Sequence, residues 1–139
     1  MKTKMYLEID SISENERFAR VVVASFISRL NPTLEEIADI KTAVSEAVTN
    51  AVVHGYENEI GTIYITCQLE GNMVHITIED KGRGIENVEK AREPLFTTKP
   101  DEERSGMGFV FMEVFMDELT VESKPMEGTI IKMSKKIGE

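Results

Sequence analysis

Hydrophobic and polar residues alternate at the start of the chain. Met5, Leu7 and Ile9 share one side of an extended segment and Tyr6 and Glu8 the other, so a strand opens the fold. The period then lengthens. Ser13 followed three residues later by Glu16 reads as a capping box, and the apolar residues behind it predict a helix over 13–30, stopped by Asn31-Pro32. Thr33 and Glu36 repeat the device. Behind them Ile37, Ile40, Val44, Ala47, Val48 and Ala51 fall on one stripe of a second helix that ends near His54-Gly55. Alternating, β-branched runs over 62–69 and 73–79, separated by Glu70-Gly71-Asn72, predict a hairpin. A third helix over 109–116 and two strands over 119–123 and 129–134 complete the order β-α-α-β-β-α-β-β. Few helices with mostly hairpin-type strands predict the α+β class, a two-layer α/β sandwich whose mixed, mostly antiparallel sheet carries its helices on one face.

Composition narrows the function classes. The 139 residues fit one domain over 1–139, with no repeat or Ser/Gly/Pro-rich linker to divide them. A formal charge of −9 argues against holding a nucleic-acid backbone by bulk charge, so no direct nucleic-acid contact is expected. Charges interrupt every apolar run near the start, and no run is long enough to span a membrane. The single cysteine, Cys67, allows neither an internal disulfide nor a thiolate cluster, and reads as a small strand residue in a cytoplasmic protein.

Candidate chemistry lies where packing does not require it. At 100° per residue Glu46 and Asn50 sit about 40° apart on the second helix, roughly 130° from the centre of its apolar stripe. A carboxylate and an amide one turn apart are often merely solvated, but Ala43, Ala47, Ala51 and Val53 beside them are small or apolar, which suggests a cleft. Asp80-Lys81-Gly82-Arg83-Gly84 follows a strand directly, and its alternate glycines permit close backbone approach. Gly106-Met107-Gly108 precedes a helix, where free N–H groups favour an anion. Neither the P-loop nor the full dinucleotide fingerprint occurs, so a nucleotide would be held another way. His54 reads as a helix-end residue, His75 as solvent-facing, and Met107, Met112 and Met116 as adaptable core.

Taken in order, Glu46-x-x-x-Asn50, Asp80-x-Gly82-x-Gly84, Gly106-x-Gly108 and Gly128-Thr129 resemble the four nucleotide-binding boxes of the ATPase superfamily shared by gyrase, Hsp90, histidine kinases and mismatch-repair proteins. Glu46-Ala47-Val48-Thr49-Asn50-Ala51-Val52-Val53-His54-Gly55 and the stretch from Pro94 to Gly108 narrow this. They are similar to the anti-sigma factor serine kinases of spore-forming bacteria. The resemblance implies a Bergerat-type ATP-binding fold with ATP and Mg²⁺ as cofactors. It implies that Asn50 helps hold Mg²⁺, that Asp80 accepts a hydrogen bond from the adenine amino group beside Gly82 and Gly84, and that Thr129 adds a second contact to the base. Gly106 and Gly108 would meet the phosphates under a lid containing Thr98, Lys99, Arg104 and Ser105. Glu46 would orient or deprotonate the attacking hydroxyl.

The same resemblance implies partners: a sigma factor of the sigma-F type that is sequestered, and an anti-anti-sigma factor that is phosphorylated on serine. It also implies a homodimer, and the first helix is apolar round more of its circumference than one core-facing stripe requires. Arg17 and Arg20 form, with Ala24 and Ser28, an arc suited to an acidic partner surface or simply to solvent. The alternative function is a nucleotide-gated binding module that captures a partner without phosphorylating a protein.

Overall fold

The computed structural model describes residues 1–93 and 108–138. Five strands, β1 (Lys2–Asp10), β2 (Thr62–Glu70), β3 (Met73–Asp80), β4 (Glu118–Lys124) and β5 (Gly128–Lys136), form one sheet in the order β1-β2-β3-β5-β4. Every pairing is antiparallel, so the mostly antiparallel sheet expected from the sequence is wholly so. β3 and β4 run in the same direction, but the return strand β5 lies between them and pairs with both. The β2–β3 hairpin closes through Gly71 and Asn72, with Gly71 at φ +60°, the conformation that the first place of a type II′ turn demands.

Alternation decides the layers. Ile63, Ile65, Cys67 and Leu69 of β2, Val74, Ile76 and Ile78 of β3, and Ile131 and Met133 of β5 are buried on one face. Tyr6, Thr66, His75 and Lys132 point to the other, and His75 joins its cross-strand neighbour Ser134 there, Nδ1 to Oγ 2.9 Å. The covered face packs under α1 (Glu14–Ile27) and α2 (Leu34–Asn50), with α4 (Gly108–Phe115) against α2 and the short α3 (Val88–Ala91) near β4. Met112 and Met116 are core residues, as their spacing implied.

Helix ends follow local chemistry, with one correction. Thr33 makes both halves of the capping box: its hydroxyl accepts from the Glu36 N–H at 3.1 Å, and the Glu36 carboxylate accepts from the Thr33 N–H at 2.8 Å. The box expected at Ser13 does not form. Ser13 already has helical dihedrals, φ −56° and ψ −35°, whereas a capping side chain needs the extended region to reach back to the first turn. The start of α1 is held instead by the Asn15 side chain on the Asp10 carbonyl at 2.8 Å, and Glu16 faces Arg20 at 3.5 Å. α1 gives way to a tighter turn over Ser28–Leu30, and Asn31 in the left-handed conformation ends it. α2 continues as a single π-type turn through Ala51–Gly55.

The two caps make a direct comparison. Thr33→Ala should destabilise the protein by about 1 kcal/mol, the usual worth of a formed cap, while Ser13→Ala should change little. Urea midpoints compare them, and equal losses would contradict the difference in geometry.

Candidate functional site

The wider end of α2 and the last residue of β3 converge. Asp80 stands on the covered face of the sheet, in line with Ile76 and Ile78 and opposite Thr129 of β5, so strand alternation sends its carboxylate inward among apolar neighbours. It is only 3% exposed. Gly55, the final residue of the π-type turn, lies so close that a Cβ there would meet the carboxylate carbon at 2.8 Å. One carboxylate oxygen accepts the Gly82 N–H at 2.9 Å, and the Thr129 N–H also favours the ionised form. Burial outweighs both and pushes the Asp80 carboxyl up to about 6.

The loop after Asp80 is clamped to the helix by its backbone. The Arg83 N–H donates to the Gly55 carbonyl at 2.9 Å, and Arg83 Nε donates to the His54 carbonyl at 2.9 Å. A Cβ on Gly82 would run into the Gly55 carbonyl, and one on Gly84, at φ +75°, into the Lys124 carbonyl. The room these glycines create is therefore filled by the protein's own main chain. Thr129, 2% exposed, shares a hydrogen bond with Ser123 at 2.9 Å, and Ser123 accepts the Ile85 N–H at 2.7 Å. β4, β5 and the loop after β3 are thus tied together beneath Asp80.

Glu46 and Asn50 occupy one side of α2, as their spacing required. Asn50 is 9% exposed. Glu46, one turn earlier, is half-buried. The flanking alanines do not line an open cleft: Ala43, Ala47 and Ala51 are buried in the core, where α2 packs on α1 and α4. Gly108 is buried at the first position of α4. Thr98, Lys99, Arg104, Ser105 and Gly106 lie outside the described residues. Arg17 is exposed and Arg20 half-exposed on α1, away from the core-facing Ala19, Val23 and Ile27.

The arrangement matches a known domain. Residues 11–135 fit the model of the histidine kinase-like ATPase domain. The chain belongs to the histidine kinase-like ATPase family. Relatives of nearly the same length are similar to it throughout. The anti-sigma F factor of Anoxybacillus flavithermus is 58% identical over 136 residues, covering 97% of this chain and 93% of the relative. That of Thermoanaerobacter sp. is 60% identical over 134 residues, 96% and 94% of the two chains. That of Bacillus subtilis is 54% identical over 140 residues, 100% and 96%. Membership in this ATPase family implies that the chain binds a nucleotide.

Sequence reasoning singled out Glu46, Asn50, Asp80 and Thr129 as candidates but did not see what holds them in place. Tyr56 and Ser123 position the pocket through contacts between segments distant in sequence, and no local pattern marks them, while Gly55 reads from the sequence only as a helix end. Among the described residues no helix is long and apolar enough to cross a membrane, and no three His, Cys, Asp or Glu side chains cluster as metal ligands.

The buried carboxylate sets a pH dependence. The folded state keeps the Asp80 proton up to about pH 6, while the unfolded chain gives it up at its ordinary value of 3.8. Stability of the nucleotide-free protein therefore falls as pH rises between these values, by on the order of 3 kcal/mol. Asp80→Asn cannot ionise. Its stability relative to wild type should improve by that amount between pH 4 and pH 7, read from urea unfolding at both. A difference that does not change with pH would show that Asp80 titrates normally.

Proposed function

We propose that this protein is an ATP- and Mg²⁺-dependent anti-sigma factor and serine-protein kinase. It acts in the cytoplasm as a homodimer, sequesters a sigma-F-type sigma factor, and phosphorylates that factor's anti-anti-sigma antagonist on serine. The observation that carries this reading is the continuity of α2: Glu46 and Asn50 share one side of a helix whose end, at Gly55, lies against the Asp80 carboxylate. Adenine recognition and phosphate chemistry are then tied to one rigid element. The names of the similar proteins support the sigma-factor partner.

Asp80 binds the base by accepting from the adenine amino group, with Thr129 beside it. The buried Asn50 amide, whose oxygen is a hard ligand, fits Mg²⁺, an ion that takes few protein ligands and completes its shell with phosphate and water. Bound there, the ion would neutralise charge on the phosphates. Gly108 at the start of α4, with Gly106, would place N–H groups towards the phosphates. The residues Thr98, Lys99, Arg104 and Ser105 would close over them. Glu46 orients the substrate serine hydroxyl and accepts its proton as the hydroxyl oxygen attacks the terminal phosphorus.

Partner contacts are assigned to α1. Arg17 and Arg20 present cationic groups to an acidic surface of the sigma factor. An apolar strip beside these arginines on the same helix, with Val21 about half exposed, bounds a groove with Met5, Val22, Ser25, Phe26 and Arg29 and supports the homodimer.

Glu46→Gln keeps the shape of the side chain and removes the base. Phosphate transfer from labelled ATP to the antagonist should drop about 10²–10⁴-fold while ADP affinity stays within about twofold. Transfer at the wild-type rate would leave the nucleotide-gated binding module as the better reading.

A further inference from the structure

Tyr56 follows the π-type turn directly, and its side chain is committed on three sides. Its hydroxyl donates to the Thr62 carbonyl at the start of β2, 2.6 Å away, and accepts the Lys81 N–H at 2.8 Å. Its ring covers Gly61 so closely that a Cβ at Gly61 would strike ring atoms Cδ1 and Cζ, both at 2.6 Å. Gly61 is in turn pinned by Ser11: the Gly61 N–H donates to Ser11 Oγ at 2.8 Å, and the Gly61 carbonyl accepts the Ser11 N–H at 2.9 Å. The ring thus rests on a fixed floor.

Lys81 N–H belongs to the peptide that joins Asp80 to Lys81. Past the last ladder pair of β3, Asp80 with Thr129, no strand partner holds that peptide. Tyr56 Oη takes its N–H edge, and on its carbonyl edge Gly128 packs so tightly that a Cβ there would collide with the Asp80 carbonyl. With both edges fixed, the peptide plane is set, and with it the backbone dihedral that aims the Asp80 side chain.

We propose that Tyr56 is a positioning residue that aims Asp80 and thereby sets the protein's selectivity for a 6-amino purine. The inference rests on the reading of Asp80 as the acceptor for the adenine amino group. Tyr56 touches no nucleotide; it acts through the Asp80–Lys81 peptide. A carboxylate held to a narrow direction accepts well from an amino donor and is kept against a carbonyl that repels it, whereas one free to swing loses part of the first interaction and turns away from the second.

The test compares ADP with inosine diphosphate, in which a carbonyl replaces the amino group, by calorimetry on the intact protein. Wild type should bind ADP at least about tenfold more tightly. Tyr56→Phe removes the hydroxyl and keeps the ring, so ADP affinity should fall roughly tenfold and the preference shrink to within about threefold. Gly61→Ala leaves Tyr56 chemically intact but pushes its ring away, and should do the same. A purely structural tyrosine would lower the melting temperature and leave the ratio of the two affinities unchanged. Folded variants that keep the wild-type preference would overturn the role of Tyr56, as would failure of both variants to fold. Wild type that binds the two diphosphates equally would instead overturn the reading of Asp80, and the inference with it.

Discussion

A carboxylate buried where a strand ends is the constraint around which the remaining geometry is arranged. Placing Asp80 on the covered face of β3 continues the alternation that buries Ile76 and Ile78, yet it brings a charge where the sheet otherwise presents hydrocarbon. Two N–H groups, from Gly82 and Thr129, partly compensate, and the carboxyl still sits at about 6. An isolated domain gains nothing from this. A ligand that supplied a further donor would favour the ionised form, and the adenine amino group of the proposed function is such a donor.

Close backbone approach makes the pocket possible. Gly55 lies against the carboxylate, Gly82 against Gly55, and Gly84 against Lys124, so the end of α2, the loop after β3 and the β4–β5 turn pack main chain to main chain. Because α2 also carries Glu46 and Asn50, its register relative to the sheet fixes the distance between the base site and the side chains assigned to the phosphates. The capping box at Thr33 holds one end of this helix and the clamp on Gly55 the other. Lys135 adds a tie at the side, donating to the Phe115 carbonyl at 2.8 Å and facing Asp39 of α2 at 3.7 Å.

Much of this was legible in the sequence wherever a single local rule governed. Alternation placed the β2–β3 hairpin to within a residue, and Thr33 with Glu36 announced a box that forms. Ser13 with Glu16 carried the same type of pattern and failed, because the chain leaves β1 through a turn that has already put Ser13 in helical dihedrals. At the site, spacing alone put Glu46 and Asn50 on one side of α2, and a family resemblance singled out Asp80 and Thr129. The glycines were read as making room for a ligand, whereas their open sides face Gly55 and Lys124. Tyr56 was invisible, since its partners Thr62 and Lys81 are joined to it only by the fold.

The claim that Asp80 is a buried acceptor completed by adenine is tested most directly by following its own carboxyl carbon by NMR as pH is varied, without nucleotide and with saturating ADP. Without nucleotide the carboxyl should titrate near 6. With ADP bound the amino donor favours the ionised form, and the midpoint should fall by at least about one pH unit, with ADP affinity weakening in step as the solution is acidified. A carboxyl that titrates near 3.8 in the free protein, or one whose midpoint ADP does not move, would contradict the account.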